Sequence, residues 1–242
     1  LADFSASLIE RGMFKSISIN LIKSNMKFLP KSYVSVILFT TMISFVASIF
    51  LFAFFMFFSL QVGFPFIAAN AESIISRVIN TFWILLAVPA GTFLLMYMYP
   101  SLERGSIEGK IDQEIPFAAI NMAAISGSMI DPTNLFKIII STREYPTLEK
   151  EFGKIINGVN VLGYDLISVL RNSAFTSPSK KLADLFNGIA TTINTGGDLP
   201  KFFDERAKSL LFGYNLEKEK STKAAETFMD IYISVVIAAP MI

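Results

Sequence analysis

Residues Val34 to Leu60 read VSVILFTTMISFVASIFLFAFFMFFSL, and no charged side chain stands between Lys31 and Glu72. A bilayer core of about 30 Å is crossed by roughly 20 apolar residues in a helix. The run is therefore long enough to span with tilt or overhang, and a transmembrane helix is expected over 33–60. A buried helix of a soluble core is the poorer reading, because such helices rarely go uncharged beyond about 10 to 14 residues. A cleaved leader does not fit either: the run is too long, lacks a small-residue cleavage site and follows a charged lead-in.

A second uncharged run goes from Val78 to Leu102, centred on Thr81 to Tyr99 (TFWILLAVPAGTFLLMYMY). Trp83 near one end and Tyr97 with Tyr99 near the other suit the two membrane interfaces. Pro89 and Gly91 are tolerated in lipid and are expected to bend the helix. A second span is assigned to 81–100, with 61–80 as an external hairpin linker whose turn residues are Gly63, Pro65 and Asn70. A third apolar run starts near Phe228 and reaches Ile242, too short to cross by itself. Since the sequence also begins at Leu1, the expectation is a fragment with a truncated third span over 228–242.

Basic residues orient the spans. Arg11, Lys15, Lys23, Lys27 and Lys31 precede the first run, the linker holds only Arg77, and every other Lys or Arg follows the second run. Both ends are therefore expected in the cytoplasm, in a multi-pass protein of the cell membrane. The lead-in, 1–32, places Phe14, Ile17, Leu21, Phe28 and Leu29 among lysines. It suits either a helix lying in the interface, with Lys15, Lys23, Lys27 and Lys31 facing lipid headgroups, or an ordinary helix packed on the cytoplasmic domain.

Composition narrows the chemistry. The chain of 242 residues is 52% hydrophobic and only 17% charged, with 24 Phe, no His and no Cys. Soluble domains carry about 25% charged residues. Without imidazole or thiolate there is no ordinary zinc, haem or iron–sulfur site, no Cys nucleophile and no His base. No catalytic residue, cofactor, metal or nucleic-acid site is assigned, and the protein is read as a non-enzyme.

Residues 101–227 have the composition of a folded domain, and apolar residues at three and four spacing make it helical. The second span is expected to continue through about Ile111, and further helices over Glu114 to Ser126, Asp131 to Glu144, Pro146 to Asn157, Asp165 to Ser173, Ser177 to Asn194 and from Asp198 onward. The fold class is thus an all-α membrane protein with at least three spans and an inserted cytoplasmic bundle of about six helices. Gly163-Tyr164-Asp165 and Gly196-Gly197-Asp198 each end one helix at glycine and open the next at an aspartate cap. Neither has the lysine a phosphate loop needs. From Glu217 to Asp230 the chain reads EKEKSTKAAETFMD, strongly helical, and passes without Gly or Pro into the third run. The acidic group Glu103, Glu108, Asp112 and Glu114 reads as a solvated or docking face. Asp230, at the threshold of the third run, is a costly place for a carboxylate unless it is paired or wet.

The order of Glu114-Ile-Pro116, Ser126-Gly127, Tyr145-Pro146 with Leu148 and Glu149, Gly163 to Leu170, Ser177-Pro178, Thr195-Gly196-Gly197-Asp198-Leu199 and Ala239-Pro240 resembles the type II secretion F-domain family. The similarity is greatest to its archaeal type IV pilus, archaellum and tight-adherence-like platform proteins. Bacterial relatives commonly carry a Glu in the second glycine turn, which Ile193-Asn194-Thr195-Gly196-Gly197 lacks. The resemblance implies a membrane platform that couples a cytoplasmic hexameric secretion ATPase to assembly of pilin-like or archaellin subunits, as a homo-oligomer, dimer or small ring. On it, Glu108, Asp112, Gly163, Asp165, Gly196, Gly197 and Asp198 are candidate ATPase-facing residues, and Asp230 is a candidate membrane-side contact. The alternative is a subunit of a membrane transporter or channel, although the centres of both complete runs offer only Ser, Thr and Pro.

Overall fold

The computed structural model describes residues 15–24, 26, 28–60, 67–69, 74–128 and 130–238. Contacts divide the chain into two units, Leu1–Gly105 and Ser106–Ile242.

In the first unit, α1 (Lys15–Lys23) precedes α2 (Pro30–Phe57), which opens with proline at its first helical positions. Along α2, Phe39, Met42, Ile43, Val46 and Phe50 are all exposed. A helix apolar on its exposed sides is stable only where lipid replaces water. Among the described residues two helices, α2 and α3 (Ile74–Ser126), contain stretches long and apolar enough to cross a membrane. Where they meet, Thr92 Oγ1 lies 3.0 Å from Ser44 Oγ, and Ser44 and Ser48 are buried. Small hydroxyl residues at such a seam let helices approach and satisfy each other's polar groups.

The helix of the first run stops at Phe57, short of the expected Leu60. The next residues form β1 (Phe58–Leu60), paired antiparallel with β2 (Ile67–Ala69) in the register Phe58↔Ala69, Ser59↔Ala68 and Leu60↔Ile67. The pairing gives these apolar residues partners for their backbone groups, which must be satisfied one way or another. Gly63, Pro65 and Asn70, expected to turn the linker, lie outside the described residues. α3 begins at Ile74, earlier than the expected 81, and runs unbroken through Pro89, Pro100 and Pro116, so the expected break between Ile111 and Glu114 is absent. Pro100 has no N–H for the carbonyl of Met96, four residues back. The hydroxyl of Tyr33 donates to that carbonyl at 2.9 Å and replaces the missing bond.

The face of α1 bearing Ile17 and Leu21 is buried with Tyr33, Val34 and Ile37 of α2, and Phe93 and Met96 of α3 pack on the same cluster. Arg104 Nη1 donates to Asn20 Oδ1 at 3.2 Å. The structure shows α1 packed on the two apolar helices of its own unit, a setting the sequence reading did not name.

The second unit is a bundle of six helices: the end of α3, α4 (Pro132–Thr142), α5 (Pro146–Asn160), α6 (Leu166–Thr176), α7 (Lys180–Asn194) and α8 (Leu199–Ala238). Its centre is aromatic. Phe136, Phe152 and Phe186 are fully buried with ring centroids 5.2, 6.0 and 6.4 Å apart, and each buried Phe contributes about 1.5–3 kcal/mol. Ile111, Ile115 and Met122 of α3, Leu148 and Ile155 of α5, Leu170 of α6, Leu182 and Ile189 of α7 and Phe203 of α8 close the core around them. A Cβ built on Gly188 would lie 2.4 Å from Cζ of Phe202, so glycine there lets α7 and α8 approach.

Helix boundaries follow local capping. α4 ends at Thr142, before the expected Glu144, because Arg143 takes a left-handed conformation (φ 54°). α7 opens at Ser179, whose hydroxyl accepts from Leu182 N at 3.2 Å. Ser177, expected to open it, instead donates to the carbonyl of Ser179. α8 is buried near its start, at Phe203 and Ala207, and exposed throughout 215–237. The third apolar run thus continues α8 as an exposed helix to Ala238, the last described residue.

Candidate functional site: two ends of the helical bundle

Short connections make successive helices antiparallel, so their turns alternate between the two ends of the bundle. Ser126-Gly127, Gly163 and Gly196 fall at one end. Arg143 to Tyr145 and Ser177 to Ser179 fall at the other. Contacts agree, since one groove at the first end is lined by Ser126, Gly127 and Pro132 together with Gly197, Asp198 and Pro200.

At the second end α3 caps one helix and holds the capping residue of another. α5 starts at Tyr145-Pro146, and Tyr145 makes no side-chain cap. Glu114 fills the gap: its carboxylate accepts from Thr147 N at 3.1 Å and from Leu148 N at 2.9 Å. A carboxylate there satisfies two orphan donors and sits at the positive end of the helix dipole. Asn121 Nδ2 donates to the Tyr145 hydroxyl at 2.8 Å, joining the same two helices again. Burial first, then the hydrogen bond and charge of Glu144 and the charge of Glu114, raise the Tyr145 phenol above its ordinary pKa.

Two residues earlier, Asp112 accepts a short hydrogen bond from Ser179, the residue that caps α7. Asp112 Oδ2 also lies 3.5 Å from Lys181 Nζ, which holds Glu217 of α8 at 2.9 Å. Burial pulls the Lys181 ammonium down, but the hydrogen bond to Glu217 and the charges of Asp112 and Glu217 outweigh it and hold it above the ordinary lysine value. Asp112, Lys181 and Glu217 thus tie α3, α7 and α8 together. Nearby, Phe117 and Tyr214 meet edge to face at 5.4 Å. A groove of about 500 Å³ lies between α3 and α8, lined by Gly109, Asp112, Gln113, Tyr214, Glu217, Lys218 and Ser221.

At the glycine end each helix caps itself. Asp131 accepts from Thr133 N at 2.7 Å, Asp165 from Ser168 N at 3.2 Å and Asp198 from Lys201 N at 3.1 Å. Gly163 and Gly196 have φ of +70° and +67°, a conformation that costs other residues about 1–2 kcal/mol. Gly197 donates to the carbonyl of Thr192 at 2.8 Å. Between α5 and α6, the turn presents Val161, Leu162 and Tyr164 at 75, 64 and 62% exposure, an exposed apolar tip at this end of the bundle.

The candidate ATPase-facing residues named from sequence fall at both ends. Gly163, Asp165, Gly196, Gly197 and Asp198 share the glycine end. Asp112 stands at the other, its carboxylate engaged by Ser179 and Lys181, and Glu108 lies half-buried one turn before it on α3. Asp230 is on the exposed part of α8, where its carbonyl accepts from Ser234 Oγ at 2.7 Å. Lys23 ends α1 half-buried and Lys31 is exposed near the start of α2. Lys15 lies in α1, but its side chain, like all of Lys27, is outside the described residues.

Sequence reasoning missed Lys181 as a hub, Glu114 as a cap and Glu151. Glu151 is 1% exposed and bound to Lys154 at 2.9 Å. A signal existed for two of these. A helix opening at Tyr-Pro without Ser, Thr, Asp or Asn needs a cap from elsewhere, and Glu151 falls on the buried stripe of Leu148, Phe152 and Ile155. No group of His, Asp and Glu that could hold a metal ion occurs among the described residues.

Two helices long and apolar enough to cross a membrane, together with a folded helical domain, define a membrane protein. Residues 118–242, just over half of the chain, match the family model described as type II secretion system, protein F, and the chain belongs to that family. An uncharacterized protein of Methanocaldococcus jannaschii is 24% identical over 140 residues, covering 58% of this chain. The chain spans only 24% of that relative's length. No solved structure matches the chain.

Proposed function

We propose that this protein is a non-enzymatic membrane platform of a type II secretion or type IV filament-like machine, coupling a cytoplasmic secretion ATPase to assembly of pilin-like subunits. The family match, from the end of α3 through α8, carries the reading. The helical bundle lies in the cytoplasm, as the concentration of Lys and Arg before the first apolar run and after the second supports. The ATPase docks at the glycine end, on Gly163, Asp165, Gly196, Gly197 and Asp198 with the apolar tip of Val161, Leu162 and Tyr164. Loop tips with exposed apolar side chains on a rigid scaffold are where partners bind. The third apolar run enters the bilayer and brings Asp230 to the filament side.

Co-purification of the membrane-extracted chain with its ATPase tests this reading. Leu162→Ser together with Tyr164→Ser is expected to abolish capture while leaving the melting temperature unchanged. Asp198→Ser keeps a cap and removes a charge, and should weaken capture. Undiminished capture by both variants would remove the glycine end as the docking surface.

A further inference from the structure

A groove of about 530 Å³ opens at the glycine end of the helical bundle, between the turn that closes α3 and the start of α8. Apolar side chains of Ile130, Pro132, Leu135, Leu199 and Pro200 line it, with Asp198 among them. Its volume lies in the range of about 300–1,000 Å³ typical of ligand clefts. Leu135 is a core residue, 2% exposed, so the groove reaches from the surface down to the core. Gly127 forms part of the wall. A Cβ built on it would have the carbonyl oxygen of Ala124, at 3.8 Å, as its nearest neighbour.

Charge says what fits this groove. The turns of the glycine end, 126–133, 161–168 and 194–201, hold Asp131, Asp165 and Asp198 against Lys201. Three helices end here, α3, α5 and α7, and three begin, α4, α6 and α8. The partial charges of their termini therefore cancel and leave the carboxylates in excess. Asp131, between Ile130 and Pro132 of the groove wall, and Asp198 each give Oδ1 to the cap of their own helix. Neither enters an ion pair among the described residues. An apolar hole rimmed by unpaired carboxylates is complementary to an apolar side chain flanked by cations.

We propose that the partner seated at this end inserts an apolar side chain into the groove and sets the Lys or Arg residues beside it against Asp131 and Asp198. The proposal rests on the docking reading above and adds the chemistry of the docked segment.

Photo-crosslinking of the full chain in the native membrane tests it. Benzoylphenylalanine replaces Ser128, exposed beside Gly127, or Leu162 on the apolar tip, and the crosslinked peptide of the ATPase is sequenced by mass spectrometry. From position 128 the expected peptide carries an apolar residue with Lys or Arg beside it and an excess of cations. Asp131→Asn with Asp198→Asn removes both charges and keeps both caps, since Asn caps as well as Asp. Adduct yield at 128 should fall several-fold in that variant, and high salt should lower the parent's yield in the same way. Gly127→Phe, which fills the groove, should reduce co-purification of the ATPase several-fold, with the melting temperature unchanged in each variant. An acidic or uncharged peptide would overturn the proposal. So would a yield indifferent to both the charge variant and salt, or full capture by Gly127→Phe. An adduct from 162 with none from 128 would overturn it and leave the docking reading standing. No adduct from either position would remove both.

Discussion

The two ends of the helical bundle carry similar residue types and use them in opposite ways. At one end, carboxylates of α3 reach across to other helices: Glu114 caps α5, and Asp112 binds both the Ser179 that caps α7 and the Lys181 that holds α8. At the other, Asp131, Asp165 and Asp198 each cap their own helix within three residues, and the apolar tip at Val161, Leu162 and Tyr164 is left uncovered. An acidic side chain spent on a distant helix builds the fold. One spent locally leaves its surroundings free for a partner.

The largest break in this contrast is expected from Glu114→Ala. Losing a charged cap that serves two part-buried donors should cost about 2 kcal/mol, read as a drop in the urea midpoint of unfolding. Asp165→Ala at the glycine end should cost only about 1 kcal/mol. Equal losses would erase the distinction. Next comes Gly188→Ala, where the new methyl meets the Phe202 ring and overpacking should cost about 1–3 kcal/mol. Gly163→Ala has open space for its methyl but a left-handed backbone, so about 1 kcal/mol is expected.

Lys181→Met should have a smaller effect, under about 1 kcal/mol, because its partners are partly in water. Its mark is a changed response to alkali. Lys181 and Tyr145 are both raised above their ordinary values of 10.5 and 10.0 in the fold. A group whose folded pKa is raised contributes stability that is complete below the unfolded pKa and lost as pH rises through the folded one. Melting temperature should therefore fall above about pH 10, less steeply in Lys181→Met. A variant melting curve that declines as steeply as the parent would show that the bridge contributes nothing.

The spans and the glycine-end caps were legible because their causes are local. Val34 to Leu60 announces a membrane helix by lacking charge, and Asp131-Pro132, Asp165 and Asp198 act on residues two or three positions away. Glu114 was read as part of a solvated or docking face because its partners stand 33 and 34 residues on, across a fold that periodicity alone does not place. Asp112 was named with the glycine turns as ATPase-facing on the strength of the family resemblance, although counting turns along an antiparallel bundle puts them at opposite ends. The ribbon of Phe58–Leu60 with Ile67–Ala69 was hidden because an apolar run ending in Phe and Leu looks the same whether its last residues are helix or strand.

The claim that one end is used inward and the other outward is tested most directly by photo-crosslinking in the native membrane. Benzoylphenylalanine replaces Leu162 at the glycine end or Glu144, also exposed, at the anchoring end. An adduct with the secretion ATPase from position 162 and none from position 144 is the predicted result. An adduct from 144 with none from 162 would contradict it.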